Sequence, residues 1–166
     1  MILSSKYCTT NCNVFAFSVC LAMLVIPSAA RATLGSDSAS VFNDQHALGA
    51  SIKTTAHDGY TDMVLNLPRG GIVHEFINPR GQVFEVTWNT KGSRPDMNRL
   101  LGNYFNRFSG KNSGDSPTSR HAAKFDNDFE LHSKAMNNYF SGTAHLPAYL
   151  PRNLDGPIPL PVDSLK

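Results

Sequence analysis

The chain has 166 residues, 15 Lys and Arg against 13 Asp and Glu, a hydrophobic share of 41% and a charged share of 17%. That balance excludes a disordered polyelectrolyte and suits one domain with one core. The formal net charge of +2 is too small and too scattered for phosphate-facing or polybasic membrane surfaces, so nucleic acid is not an expected partner.

Residues 1–32 read as a secretory signal peptide. Lys6 supplies the positive charge, residues 14–26 form a nearly unbroken apolar run, and Ala30-Arg31-Ala32 places small residues at alternate positions. A membrane-spanning helix needs about 20 apolar residues, and a shorter run fits a signal better. Pro27 stops the helix. Cleavage is expected between Ala32 and Thr33, with Ala30 the less favoured register. The processed chain would be periplasmic or secreted, with no transmembrane anchor. Cys8, Cys12 and Cys20 all lie in the segment, so the processed chain would carry no thiol and no disulfide. Lys6 and Arg31 leave with it, and basic and acidic residues become equal in number.

Residues 33–59 are rich in Ser, Asp, Ala and Gly and read as an extended N-terminal arm with at most one short strand or helical turn. Three strands are expected next, over residues 60–67, 72–77 and 83–88. In the first, Met63, Leu65 and Leu67 alternate with polar residues; in the last, Phe84, Val86 and Trp88 do so. Pro68-Arg69-Gly70-Gly71 and Asn78-Pro79-Arg80-Gly81 have the chemistry of tight turns, which makes an antiparallel meander.

The period then changes. Met97, Leu100, Leu101, Tyr104, Phe105 and Phe108 follow one helical face. Ser93 and Asp96 offer a capping box, and Gly110 a stop. A polar loop over 111–119 leads to a second strand pair around Phe129, Leu131 and residues 139–146, with Asn137-Asn138 at the bend. Residues 148–166 form a Pro-rich C-terminal tail, expected to be extended. The predicted fold is α+β: an antiparallel meander of four to six strands with one amphipathic helix packed on a face, the single domain occupying residues 60–147. Trp88, Tyr104 and Phe105 are its expected core aromatics.

These residues resemble a family of small exported proteins of Gram-negative bacteria, catalogued as domain of unknown function 2844. The likeness starts at Thr33-Leu34-Gly35, Ser40-Val41 and Asp44. It is strongest from Glu75 through Asn78-Pro79-Arg80-Gly81 to Trp88, and continues through Pro95-Asp96-Met97 and Leu100 to Phe105. Met136, Phe140, Ser141-Gly142 and Leu146-Pro147 carry it loosely to the end. The resemblance implies export and one small domain, and carries no catalytic residues.

The chemistry legible in the residues is sparse. The closest of the six histidines are eleven residues apart, unlike the tight pairs of zinc and copper sites. His132 and His145 could meet across neighbouring strands with Glu130 beside them, a weak metal candidate. No Gly-x-Ser-x-Gly occurs, and His57-Asp58 are neighbours on a loop rather than a dyad. Asp126, Asp128 and Glu130 alternate as if along one strand face, where a solvated edge is the simpler reading. Glu75 falls in a strand apolar on both faces, where a carboxylate needs a partner; Arg99 or Arg107 on the helix is the expected one. No cofactor is implied. The function expected is a non-enzymatic exported module that binds an envelope protein or another exported partner through a sheet edge or its extended ends. The alternative is a small periplasmic hydrolase whose site assembles only in three dimensions.

Overall fold

A computed structural model describes residues 33–109 and 120–159. The expected signal segment with its cysteines, the stop at Gly110, the loop over 111–119 and the end of the tail lie outside the described residues.

The segment read as an arm is regular structure. Helix α1 spans Ser38–Leu48. Its N-cap, Asp37, accepts from Ser40 N at 3.2 Å, and Gly49 closes it with φ 62°, the left-handed geometry that glycine adopts without strain. Its buried positions are Ser40, Val41 and Asp44, so two of three are polar and the apolar period that would announce a helix is missing. Strand β1, Ser51–His57, follows and pairs with β2, Tyr60–Asn66, through a two-residue Asp58-Gly59 turn.

β3 (Gly71–Ile77) and β4 (Val83–Lys91) continue the meander. Asn78 shapes the turn between them: its Oδ1 accepts from the amides of Arg80 and Gln82 at 3.0 and 3.1 Å. A register shift at Phe76/Ile77 adds a bulge there.

The expected single helix is broken into α2 (Met97–Leu101), a 3-10 turn over Gly102–Tyr104, and α3 (Phe105–Ser109). Gly102, at φ 53° and ψ −122°, leaves helical space and interrupts the ladder. The cap is Asp96, which accepts from Arg99 N at 3.1 Å, rather than Ser93, whose carbonyl accepts from the Thr90 hydroxyl.

The second half is β5 (His121–Phe125), β6 (Glu130–Met136) and β7 (Tyr139–His145). Asn137 and Asn138, both at positive φ, form the β6–β7 turn. β7 pairs with β4, so two meanders fuse into one antiparallel sheet of seven strands ordered β1-β2-β3-β4-β7-β6-β5. The count exceeds the expected four to six because both end strands carry few buried side chains.

Register and pleat divide the sheet into two faces. One presents Met63, Leu65, Val73, Val86, Trp88, Leu131 and Ala144, which share a buried cluster with Leu34, Val41, Met97, Leu100, Leu101, Phe108 and Phe129. Tyr104 and Phe105 pack against this cluster half-buried, whereas Trp88 is fully enclosed. Opposite Trp88 stands Gly142, where a Cβ would strike the indole and the His132 carbonyl. The other face carries Asp62, His74, Glu85, Thr87, Thr143, His145, His132 and Glu130.

The tail is pinned over its described length. Asn78 Nδ2 donates to the Tyr149 carbonyl at 3.0 Å, Asn153 Nδ2 to the Asp58 carbonyl at 3.0 Å, and Ile158 N to Glu85 at 2.9 Å. No helix among the described residues is long and apolar enough to cross a membrane.

Candidate functional site

β5 ends the sheet, and among the described residues it pairs with β6 alone. Its ladder is framed by Ala135 N donating to the Arg120 carbonyl and Asp126 N to the Phe129 carbonyl, at 2.6 and 2.8 Å. Hydrogen-bonded and non-hydrogen-bonded pairs alternate along an antiparallel ladder. With His121 opposite Lys134 and Phe125 opposite Glu130, the N–H and C=O groups of His121, Ala123 and Phe125 point away from β6. Beside them runs an open groove of about 500 Å³ lined by His121, Ala123, His132, Lys134, Ser141 and Thr143, among others. Phe125, 61% exposed, meets His132 edge to face at 4.8 Å. Met136, 57% exposed, lies in β6 next to this edge.

Farther along the same face, Glu85, His145 and Glu130 stand opposite one another on β4, β7 and β6. Glu85 has no exposed surface. Burial pushes its carboxyl up to about 7, and the Ile158 amide and Thr143 hydroxyl, which both donate to it, offset only part of that. His145 Nε2 lies 3.5 Å from Glu130 Oε2. Burial lowers the His145 pKa, the Glu130 charge works against that, and His132 adds to the lowering. His145 is therefore a buried residue. The weak metal candidate is brought together in part: Glu130 meets His145, while His132 sits two pairs along, opposite Thr143. No group of three or more metal-binding side chains occurs among the described residues. His74, missed as a site residue, holds Asp62 at 3.1 Å across β2 and β3; only the pairing register could have revealed it.

Glu75 lies on the core face, fully buried, and neither carboxylate oxygen has a hydrogen-bond partner among the described residues. The expected ion pairs do not form, because each guanidinium has another partner. Arg99 Nη1 holds Asp44 at 3.1 Å. Arg107 forks onto Asp128 at 2.9 and 2.7 Å and reaches Asp126 at 2.8 Å. Those two aspartates belong to the β5–β6 turn rather than to a strand face; they gather the guanidinium of α3, and Arg107 also lies 5.6 Å from the Tyr104 ring. Burial raises Glu75 well above the usual carboxylate range, Asp44 adds to this, and the Thr33 hydroxyl offsets part of it. Asp44 itself is raised to about 6 by burial against the pull of Arg99. Of the expected processing residues, Ala30 and Ala32 lie outside the described residues, while Thr33 is fully buried and its hydroxyl donates to Asp44.

A family model described as "Protein of unknown function (DUF2844)" matches residues 30–156. No curated protein matches. No solved structure matches.

Proposed function

Because this chain belongs to the protein family of unknown function DUF2844, whose description carries no activity, we propose its role from its own geometry: an exported, non-enzymatic binding module that takes an extended segment of an envelope or other exported protein along β5. The observation that carries this reading is the outward N–H and C=O groups of His121, Ala123 and Phe125 beside an open groove. An added strand would gain main-chain hydrogen bonds from those groups. Its alternate side chains would lie over Ala123, His132 and Phe125, which offer an aromatic surface and little charge. β1, the opposite edge, carries exposed Ser51, Lys53 and Thr54, the kind of edge that resists pairing. Export rests on residues 1–32, with their charged start, apolar run and small-residue cleavage site.

The test is photo-cross-linking in intact cells from a benzophenone amino acid at Ala123, with Lys53 on β1 as comparator. A discrete adduct with one exported protein from Ala123 and none from Lys53 is expected. Equal labelling from both positions, or none from either, would end the proposal. N-terminal sequencing of exported material tests the export part separately.

A further inference from the structure

The residues from Thr33 on are held between α2 and β4. Thr33 N donates to the Arg99 carbonyl at 3.3 Å, Leu34 N to the Leu100 carbonyl at 3.1 Å, and Gly35 N to the Val83 carbonyl at 2.9 Å. This fixes Thr33 in the interior beside two carboxylates. Its hydroxyl donates to Asp44 and also favours the charged form of Glu75. Both carboxylates are fully buried. The charged groups that face them are Asp44 from α1, Glu75 from β3, and Arg99 with the more distant Asp96 from the start of α2. Within the enclosed cluster, two carboxylates face one guanidinium. An ionised carboxylate buried without a counter-charge is strongly unfavourable, so the second acid of the cluster can ionise only when one more positive charge reaches it.

We infer that cleavage between Ala32 and Thr33 supplies that charge: the new α-ammonium of Thr33 is the counter-ion of the Glu75–Asp44 pair, and processing thereby locks the fold. The α-nitrogen and the hydroxyl oxygen of one threonine sit on adjacent carbons, so an ammonium formed there arises next to the carboxylates without movement of the chain. Hydrolysis of the Ala32–Thr33 peptide bond by a signal peptidase gives a carboxylate on the departing segment and the protonated amine on Thr33. The core cluster of the described residues runs from Leu34 to Leu146, and all of that cluster lies in the processed chain. A cut after Ala30 would place the ammonium two residues away and leave the cluster short of charge. This makes the position of the cut part of the fold's design. The inference rests on the export reading above, and the two can fail separately.

The experiment compares the processed chain beginning with a free Thr33 amine, the same chain Nα-acetylated, and the chain retaining Ala32. The free Thr33 form is expected to melt about 5 °C or more above both others near pH 7. The Thr33 ammonium should titrate above the ordinary α-amino value of about 8 when followed by NMR. The gap between free and acetylated chains should shrink by half or more in Glu75→Gln. It should also fade as pH rises through the raised ammonium pKa, because only the charged amine binds. Equal melting of all three chains, or an ammonium titrating at or below its ordinary value, overturns the lock and leaves export standing. Should Glu75→Gln fail to fold, the amine titration and the acetylated chain decide alone. N-terminal sequencing of exported protein that begins at Arg31 overturns the lock only, and sequencing that begins at Met1 removes both.

Discussion

The amide of Ile158 donates to Glu85 Oε2 at 2.9 Å, so the tail is anchored on a carboxylate in the middle of the sheet's polar face. Thr143 holds the other oxygen from the neighbouring strand β7 at 3.1 Å. Burial favours the neutral form of Glu85 and raises its carboxyl to about 7, against the pull of these two donors.

This pairing makes stability depend on pH. The folded Glu85 binds its proton more tightly than the unfolded one, so between 4.5, its ordinary value, and about 7 the native state holds more protons. Stability must then fall as pH rises through that window and level off above it. Asp44, raised from 3.8 to about 6, acts in the same direction. Glu85→Gln can still accept from Ile158 through its amide oxygen and donate to Thr143. It is expected to be more stable than the parent at pH 8 by about 2–3 kcal/mol and to show a flatter pH profile. Urea midpoints from pH 4.5 to 8 measure this, and parallel profiles would refute the assignment.

The edge role of β5 predicts a proline-tolerant position. The Ala123 amide points away from β6 and makes no ladder bond, which is where a strand accepts proline. Ala123→Pro should leave the far-ultraviolet circular dichroism spectrum intact and shift the melt by only a few degrees, while abolishing cross-linking from a reporter placed at His121. In Ala122→Pro the missing amide is one that pairs with Ser133, and that protein should be destabilised by about 3 kcal/mol. Equal melting of the two variants would mean that β5 is oriented the other way.

Trp88 and Gly142 should behave as one unit. Gly142→Ala pushes a methyl into the indole and into the His132 carbonyl, and overpacking of this kind costs about 1–3 kcal/mol. The backbone carbonyl cannot move aside, so the upper end is expected. Replacing Trp88 with Phe removes the part of the ring that the methyl meets. Gly142→Ala combined with Trp88→Phe should therefore lose less than the sum of the single losses. Strict additivity in denaturant titrations would show that the two do not touch.

Arg107 tests the turn that sequence alone read as a strand. Its planar fork matches Asp128 in two parallel bonds and also reaches Asp126, a geometry a lysine cannot copy. Arg107→Lys should lower the melting temperature slightly, and molar salt should erase the difference, because the pair is largely exposed. A loss that persists in salt would point to lost stacking on Tyr104 instead.

What the sequence revealed, and what it hid, follows from burial. The central strands were legible because Met63 with Leu65 and Val86 with Trp88 must reach one core, and the turns between them carry glycine, proline or asparagine. The two edge strands were not: Ile52 is the one large apolar residue of β1 among polar neighbours, and Ala122 is the one buried residue of β5. Helix α1 escaped notice because Ser40 and Asp44 occupy its inner face, and Asp44 is there for a charge cluster no local pattern announces. The helix break was masked because the apolar stripe runs on through Tyr104, Phe105 and Phe108 past Gly102. Glu75 was recognisable as a carboxylate in an apolar strand, but its neighbours come from α1 and α2. Pairing choices of this kind belong to the tertiary fold, not to spacing.

The place of β7 in the sheet sets the order in which the molecule can be finished. Among the described residues β7 is the last strand, yet it lies between β4 and β6. A chain that folds from its N-terminus can zip β1 to β4 at once, through short hairpins of low contact order. The β4 edge then stays uncovered until β7 arrives. Throughout that interval an open strand faces solvent, where it can pair wrongly or be shielded by a chaperone. Insertion of β7 ends that exposure in a single late event, so truncation anywhere before His145 should leave a chain that is half assembled and adhesive, not a smaller working version.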